Sequence, residues 1–246
     1  MDSGKTMVKP DKLFCAFDFS GNENTLTLSE EESRHAVRVL RLTGGDRLHL
    51  INGRGGLFEA ELIAPDPKGC VLQIVNREFD YGKRPFRLHI AIAPTKMNER
   101  TEWFLEKAAE IGIDEITPVI CGRSERKEVK IERLNKILVA AIKQSVKAYL
   151  PKLNEAVSFK KFMANDNIQG QKFIAYCFGD ERVLLQDACE KGSDATVLIG
   201  PEGDFTPEEV NVARDKGFIP VSLGNSRLRT ETAGIVACHT VNLING

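Results

Sequence analysis

From residue 86 to the end of the chain, short apolar runs with almost no polar interruption alternate with stretches of helical period. RLHIAIAP reads as a strand and NERTEWFLEKAAEIG as a helix. EITPVIC is a strand, and KIERLNKILVAAIKQSVKAYL is a long helix stopped by Pro151. KFIAYCF and ATVLIG are strands separated by the helical VLLQDACEKG. TPEEVNVARDKG is a helix, FIPVSLG a strand, and TETAGIVACHTVNLI a final helix. A strand that is apolar at consecutive positions must be covered on both faces, and interleaved helices supply the cover. The region is therefore predicted to be α/β, a parallel sheet with helices on both sides.

The first third follows another period. LFCAFDF is a short apolar segment, and DRLHLINGRGGLFEAELIA is two alternating runs around a turn. Asn52-Gly53 followed by Gly55-Gly56 marks a hairpin whose loop needs positive φ. VLQIVNREF is a further strand. LSEEESRHAVRVLRL is the one helix, with Ser29 and Glu32 spaced as a capping box. Several short strands and one helix predict a small β-barrel over residues 13–80. Residues 1–12 read as a flexible lead-in, and Tyr81–Pro85 (YGKRP) as a linker before a second domain at 86–246.

Formal net charge is -1, so nucleic-acid binding would have to rest on local basic surfaces. No run approaches the roughly 20 apolar residues of a membrane helix, and MDSGKTMVKP lacks a signal-peptide core, so a cytoplasmic protein is expected. The six cysteines are scattered with no C-x-x-C pair, which points to buried, reduced thiols and to no metal site.

Two strand–loop–helix segments carry the chemistry. IGPEGDFTPEEV, Ile199 to Val210, has a glycine-rich turn and a helix capped by Thr206, with Pro207 first and Glu209 completing the box. Ligands of open α/β sheets sit beyond the carboxyl ends of strands. The turn has no Walker lysine, and Glu202 and Asp204 would repel a polyphosphate. A cationic ligand with amino groups to donate fits it; so does a tight turn that only starts a helix. LGNSRLRTETAG, Leu223 to Gly234, repeats the arrangement with Gly224 at the strand end and Thr230 near the helix start. Two such loops can clamp one small molecule, and Arg227 and Arg229 add donors for a phosphate or a nucleobase carbonyl.

Basic residues gather in two places. Arg34, Arg38 and Arg41 fall at i, i+4 and i+7, one face of a helix. Between Arg123 and Lys152 nine lysines and arginines face three acids, Arg123 and Arg126 among them. Both surfaces suit RNA, though a solvated helix face has the same composition. His89, inside an apolar strand, reads as a satisfied core histidine, and Trp103 with Phe104 as part of a packed helix face. No Ser-His-Asp or H-E-x-x-H pattern supports a hydrolase or a metal enzyme.

Four stretches in this order, HAVRVLRLTGGDRLHLINGRGGLFEAEL, KAAEIGIDEITPVICGRSER, IGPEGDF and LGNSRLRTETA, resemble the 16S ribosomal RNA (uracil-N3)-methyltransferase family of the SPOUT superfamily. The resemblance spans nearly the whole chain from Leu13. It implies an N-terminal PUA-like barrel, a SPOUT α/β domain with a C-terminal trefoil knot, and a homodimer. It implies S-adenosylmethionine as cofactor, held by Leu198, Ile199, Gly200, Glu202 and Gly203 and by Leu223, Gly224, Asn225, Leu228, Arg229 and Thr230. It places Arg38 and Arg41 of the barrel, and Arg123 and Arg126 of the catalytic domain, toward 16S ribosomal RNA or the small ribosomal subunit, and Arg34 joins them as an RNA-binding candidate by its spacing. Where that family carries an acid and an arginine around the Gln144–Ser145 pair, this chain has Lys143 and Lys147.

The reaction so implied moves a methyl group to N3 of one specific uridine. Arg229 is expected to stabilise charge on the uracil carbonyls, and Glu231 or Glu202 to take the N3 proton. Methylation of another RNA nucleotide, RNA binding without chemistry, and a nucleotide-dependent enzyme are the competing expectations.

Overall fold

The computed structural model describes residues 12–176 and 183–246. The expected lead-in, apart from Lys12, and Cys177 and Phe178 of KFIAYCF lie outside them. By contact the chain divides into two compact units. One takes the described residues as far as Lys83 together with Ile142–Leu150; the other takes Arg84–Ala141 and Pro151–Gly246. The nine residues Ile142–Leu150, expected in the second domain, thus cluster with the first.

The first unit is built on strands β1 (Leu13–Cys15), β2 (Thr25–Thr27), β3 (Arg47–Ile51), β4 (Leu57–Ala64) and β5 (Val71–Glu78), with helix α1 (Glu30–Arg34). The sheet runs β1-β3-β4-β5-β2, with β1 parallel to β3 and every other neighbour antiparallel. Period-two alternation puts Leu48 and Leu50, Phe58, Ala60 and Leu62, and Leu72 and Ile74 into one core with Phe14 and Phe19. Gly53 and Gly55 take positive φ as expected. A Cβ on Gly55 would lie 2.3 Å from the Tyr149 hydroxyl, so the hairpin closes against that ring only without a side chain.

Two expectations for the helix need correction. Ser29 Oγ accepts from Glu32 N, but the Glu32 carboxylate does not return the bond. It accepts from Cys15 N and pairs with Lys143 Nζ at 2.7 Å. After Arg34 the backbone widens into a π turn, His35–Val39, and Arg41 lies past its end with φ 54°. A π turn carries more residues per turn than an α-helix, so i, i+4, i+7 spacing no longer defines a face. Arg34, Arg38 and Arg41 are all exposed but do not form one helical stripe.

The second unit holds a parallel sheet. Its elements in chain order are β6 (Leu88–Ile92), α2 (Asn98–Ile111), β7 (Glu115–Ile120), α3 (Ile131–Ser145, of which Ile142–Ser145 belong to the first unit), β8 (Lys152–Leu153), β9 (Val157–Ser158) and α4 (Phe159–Met163). There follow β10 (Gln171–Ala175), β11 (Val183–Leu184), α5 (Leu185–Ala188), β12 (Ala195–Ile199), α6 (Pro207–Asp215), β13 (Ile219–Ser222) and α7 (Thr230–Asn245). The order is β11-β13-β10-β12-β6-β7-β8, with β9 also on β7 and every pairing parallel. Ala91 and Leu198 join Phe159, Phe162, Phe205 and Val210 in a core that draws on α4 and α6. α7 packs on α2, β6 and β12. A Cβ on Gly234 of α7 would come within 2.6 Å of the Phe104 ring and 2.9 Å of Ile92. Neighbouring residues Ala91 and Ile92 therefore serve different helices, which is the two-sided cover the apolar strands required.

Some helix boundaries differ from the sequence reading. The long helix ends at Ser145, not at Pro151, because Val146 adopts φ 54°. VLLQDACEKG forms only a two-residue strand and one helical turn. Trp103 is 43% exposed while Phe104 is fully buried, since adjacent residues point about 100° apart on a helix. His89, expected in the core, is only partly buried, at a pocket with Glu115 and Lys152; its Nε2 lies 2.8 Å from Thr117 Oγ1, and desolvation lowers its pKa to about 4. The five described cysteines are all free and buried, and burial pushes the Cys15 thiol up to about 12.

Candidate active site

Strands β13, β10 and β12 are neighbours and parallel, so their carboxyl ends share one edge of the sheet. A pocket of 780 Å³ opens there, lined by residues 199–204 and 221–230 with Ala175, Tyr176, Arg100, Arg123 and Ala233. Its size suits a nucleoside-sized ligand, and its place is where open α/β sheets bind.

The first wall is the IGPEGDF turn, and it is tied on several sides. Asp204 takes φ 62°, a conformation aspartate tolerates, and its carboxylate accepts from Phe205 N at 2.8 Å. The Arg123 guanidinium donates to the carbonyls of Gly203 at 2.9 Å and Phe205 at 3.3 Å. Thr206 and Glu209 form the full capping box, and Glu209 Oε1 also accepts from Gly122 N at 2.7 Å. Glu202 Oε1 accepts from Lys96 N at 3.0 Å. Arg126 in turn donates to the carbonyls of Thr95 and Lys96. The Lys96 ammonium, hydrogen-bonded to Glu125 2.8 Å away, is held above its ordinary pKa. The loop after β7 therefore fastens the loops after β6 and β12 together.

The second wall, residues 223–229, is looser. Ser222 Oγ accepts from Gly224 N and donates to Gly224 O. Thr230 Oγ1 donates to Gly200 O at 3.1 Å and so couples the two walls. Beyond these, the amides of Asn225, Ser226, Arg227 and Leu228 bond to no other described residue. Arg227 and Arg229 are exposed, and among the described residues their guanidinium groups make no hydrogen bond or ion pair.

The structure brings most of the expected residues together. Ile199, Gly200, Glu202, Gly203, Leu223, Gly224, Asn225, Leu228, Arg229 and Thr230 all line the pocket. Leu198 does not; its side chain is in the core under α4 and α6. Glu231 stands behind the lining, 6% exposed, with Oε1 3.7 Å from Arg100 Nε. Glu202 Oε2 and Glu231 Oε2 are buried and have no hydrogen-bond partner among the described residues. Arg123 and Arg126, expected to face RNA, spend their guanidinium groups on loop carbonyls. Arg100 and the Lys96 backbone were not anticipated. Both follow β6, and only the pairing of β6 with β12 puts them beside IGPEGDF. No cluster of metal-ligating side chains occurs among the described residues.

A family model described as an RNA methyltransferase domain matches residues 82–242, the whole span that builds this pocket. The chain belongs to the RNA methyltransferase family. A second model, an RNA methyltransferase PUA domain, matches residues 28–75 of this family member. The ribosomal RNA small subunit methyltransferase E of Synechocystis is 30% identical over 229 residues, 90% of this chain and 74% of that protein. The protein so named from Rickettsia conorii is 27% identical over 243 residues, 96% and 97% of the two chains. A crystal structure described as a probable rRNA-methyltransferase from Porphyromonas gingivalis is 42% identical with TM-score 0.87, covering 95% of this chain and 98% of that one. A methyltransferase of Legionella pneumophila, solved with bound SAM, is 28% identical with TM-score 0.84, covering 97% and 99%.

Proposed function

We propose that this RNA methyltransferase places a methyl group on N3 of one uridine in the 16S RNA of the small ribosomal subunit, with S-adenosylmethionine as donor. The observation that carries the reading is the pocket between the two loops, which pairs spare backbone amides with a carboxylate oxygen, Glu202 Oε2, that has no described partner. Amides of residues 225–228 can donate to an adenine ring nitrogen or a carboxylate, and Glu202 can accept from an amino group. The described lining has no Walker lysine, and Glu202 and Asp204 stand in it where a triphosphate would meet them. A cationic donor fits that set, and relatives bearing small-subunit rRNA methyltransferase names and SAM support it.

When bound, the cofactor supplies a methyl group already activated on a sulfonium. The chain has two tasks left. Arg229, exposed at the pocket and without a partner among the described residues, donates to a uracil carbonyl as charge develops on it. A carboxylate, Glu202 or Glu231, accepts the N3 proton directly or through water. The N3 lone pair so exposed would face the methyl group that the cofactor supplies. Binding both molecules in one pocket replaces an encounter in solution by a fixed alignment.

The reading extends to parts of the molecule outside the pocket. The five-stranded unit serves as a PUA-like barrel, with Arg34, Arg38 and Arg41 contacting RNA phosphates. The C-terminal part is threaded as a trefoil knot, and two copies pair as a homodimer in the cytoplasm. Among the described residues no helix is long and apolar enough to cross a membrane.

Nucleoside mass spectrometry of ribosomal RNA from cells with and without the gene tests the assignment. Loss of 3-methyluridine in the deletion strain is expected. Unchanged 3-methyluridine overturns the target, and loss of a different methylated nucleoside moves the same chemistry to another base.

A further inference from the structure

Glu231 sits in the first turn of α7, 6% exposed, with Oε2 unpartnered among the described residues. A carboxylate at that depth is costly unless a cation or the helix N-terminus compensates it. The cation the structure sets beside it is Arg100, in the first turn of α2, with Nε 3.7 Å from Oε1. Arg100 lines the pocket, and its guanidinium donates no hydrogen bond to a described residue. Glu231 therefore anchors the Nε side of a guanidinium whose remaining N–H groups are uncommitted. Of the other arginines at the pocket, Arg123 is directed by its Nη1 bonds to the Gly203 and Phe205 carbonyls, which leaves Arg229 and Arg227 of the loop before α7 as donors with no described partner.

Uracil N3 lies between two carbonyl groups. When N3 gives up its proton the charge divides over both oxygens, and one guanidinium serves only one side. We propose that Arg100 is a catalytic residue donating to the second uracil carbonyl, opposite Arg229, and that Glu231 is its positioning residue and not the proton acceptor. The inference rests on uridine N3 methylation and deepens it. The proton then goes to Glu202, the carboxylate that lines the pocket and keeps Oε2 uncommitted. Balance is kept: Glu202 gains the proton, N3 gains the methyl group, and the sulfonium leaves as a neutral thioether.

The test uses the full chain, S-adenosylmethionine, and small subunits or 16S RNA carrying either uridine or 5-fluorouridine at the target. Fluorine acidifies N3, so a base that ionises more readily needs less help from a guanidinium. Arg100→Ala is expected to lower kcat about 100-fold, the scale of losing one preorganised donor to a developing oxyanion. Cofactor affinity by calorimetry should be unchanged, which also certifies that the variant folds. Arg100→Lys should recover only part of the rate, because an ammonium keeps the charge and loses the planar fork. Glu231→Gln should lower kcat by about tenfold, in line with a lost orienting partner. Fluorinated RNA should narrow the gap between both variants and the wild type.

Wild-type turnover by Arg100→Ala overturns the inference, and so does a defect confined to cofactor affinity. A defect of equal size on both RNAs assigns Arg100 and Glu231 to structure and overturns it as well. If instead the wild-type protein leaves uridine N3 untouched, the functional reading itself fails and the inference falls with it.

Discussion

The two walls of the pocket are both glycine-containing turns between a parallel strand and a helix, yet they are held in different ways. IGPEGDF is fastened by Arg123, by the bond from Gly122 N to Glu209 just beyond the turn, and by the Glu202–Lys96 bond, each tying it to another loop. The NSRLR turn is fastened at its ends by Ser222 and Thr230 and keeps its middle amides and two guanidinium groups uncommitted. The first turn is a wall built before any ligand arrives, and of its tied side chains Glu202 alone is described with an oxygen, Oε2, left over for chemistry. The second has its donors left for ligands, so hydrogen-bond donation to ligands is expected to concentrate there and stability on the first.

The sharpest way to break this contrast is Arg229→Ala. It should lower kcat by about 100-fold, as expected for a lost transition-state donor, with cofactor affinity retained in a binding titration. A change confined to thermal stability would make the two walls alike. Glu209→Ala should do the opposite. It removes the capping box and the Gly122 bond, and a cost of about 2 kcal/mol in denaturant unfolding is expected. Thr230→Val removes the one side-chain bond between the walls among the described residues, Oγ1 to Gly200 O, and should cost about 1 kcal/mol while weakening cofactor binding. The smallest effect is in hydrogen exchange. Adding S-adenosylmethionine should slow exchange in residues 223–229 more than in 200–206, because the first turn is already tied. Equal protection of both turns would erase the distinction.

Much of this site was legible from residue types and spacing. Thr206 and Glu209 announce a helix start because their side chains satisfy N–H groups within the same turn, Pro207 has no N–H to satisfy, and the structure shows the full box. The missing lysine and the two acids of IGPEGDF turned the reading away from phosphate before any fold was known. Local chemistry misled where a side chain had a better partner far along the chain. Glu32 looked like a capping residue, but it is held by Lys143, 111 residues away. Arg123 and Arg126 looked like a basic surface, but carbonyls of Gly203, Phe205, Thr95 and Lys96 claim them. The Arg34–Arg38–Arg41 stripe assumed α geometry, which the π turn at His35–Val39 and the positive φ of Arg41 remove.

By itself the sequence determined what depends on a residue and its near neighbours. Period two in the first third, apolar strands alternating with helices after it, the cap of α6 and the charge of the two turns all belong to that class. Tertiary structure decided which strands became neighbours. The order β13-β10-β12-β6 is not the order in the chain, and it alone brings Arg100 after β6, Glu202 after β12 and Arg229 after β13 to one pocket. Apolar strands buried on both faces are interchangeable in pattern, so their periodicity carries no information about order. Order is fixed by how the helices pack and how the connections run, as Gly234 against Phe104 shows, and such contacts join residues far apart in the chain.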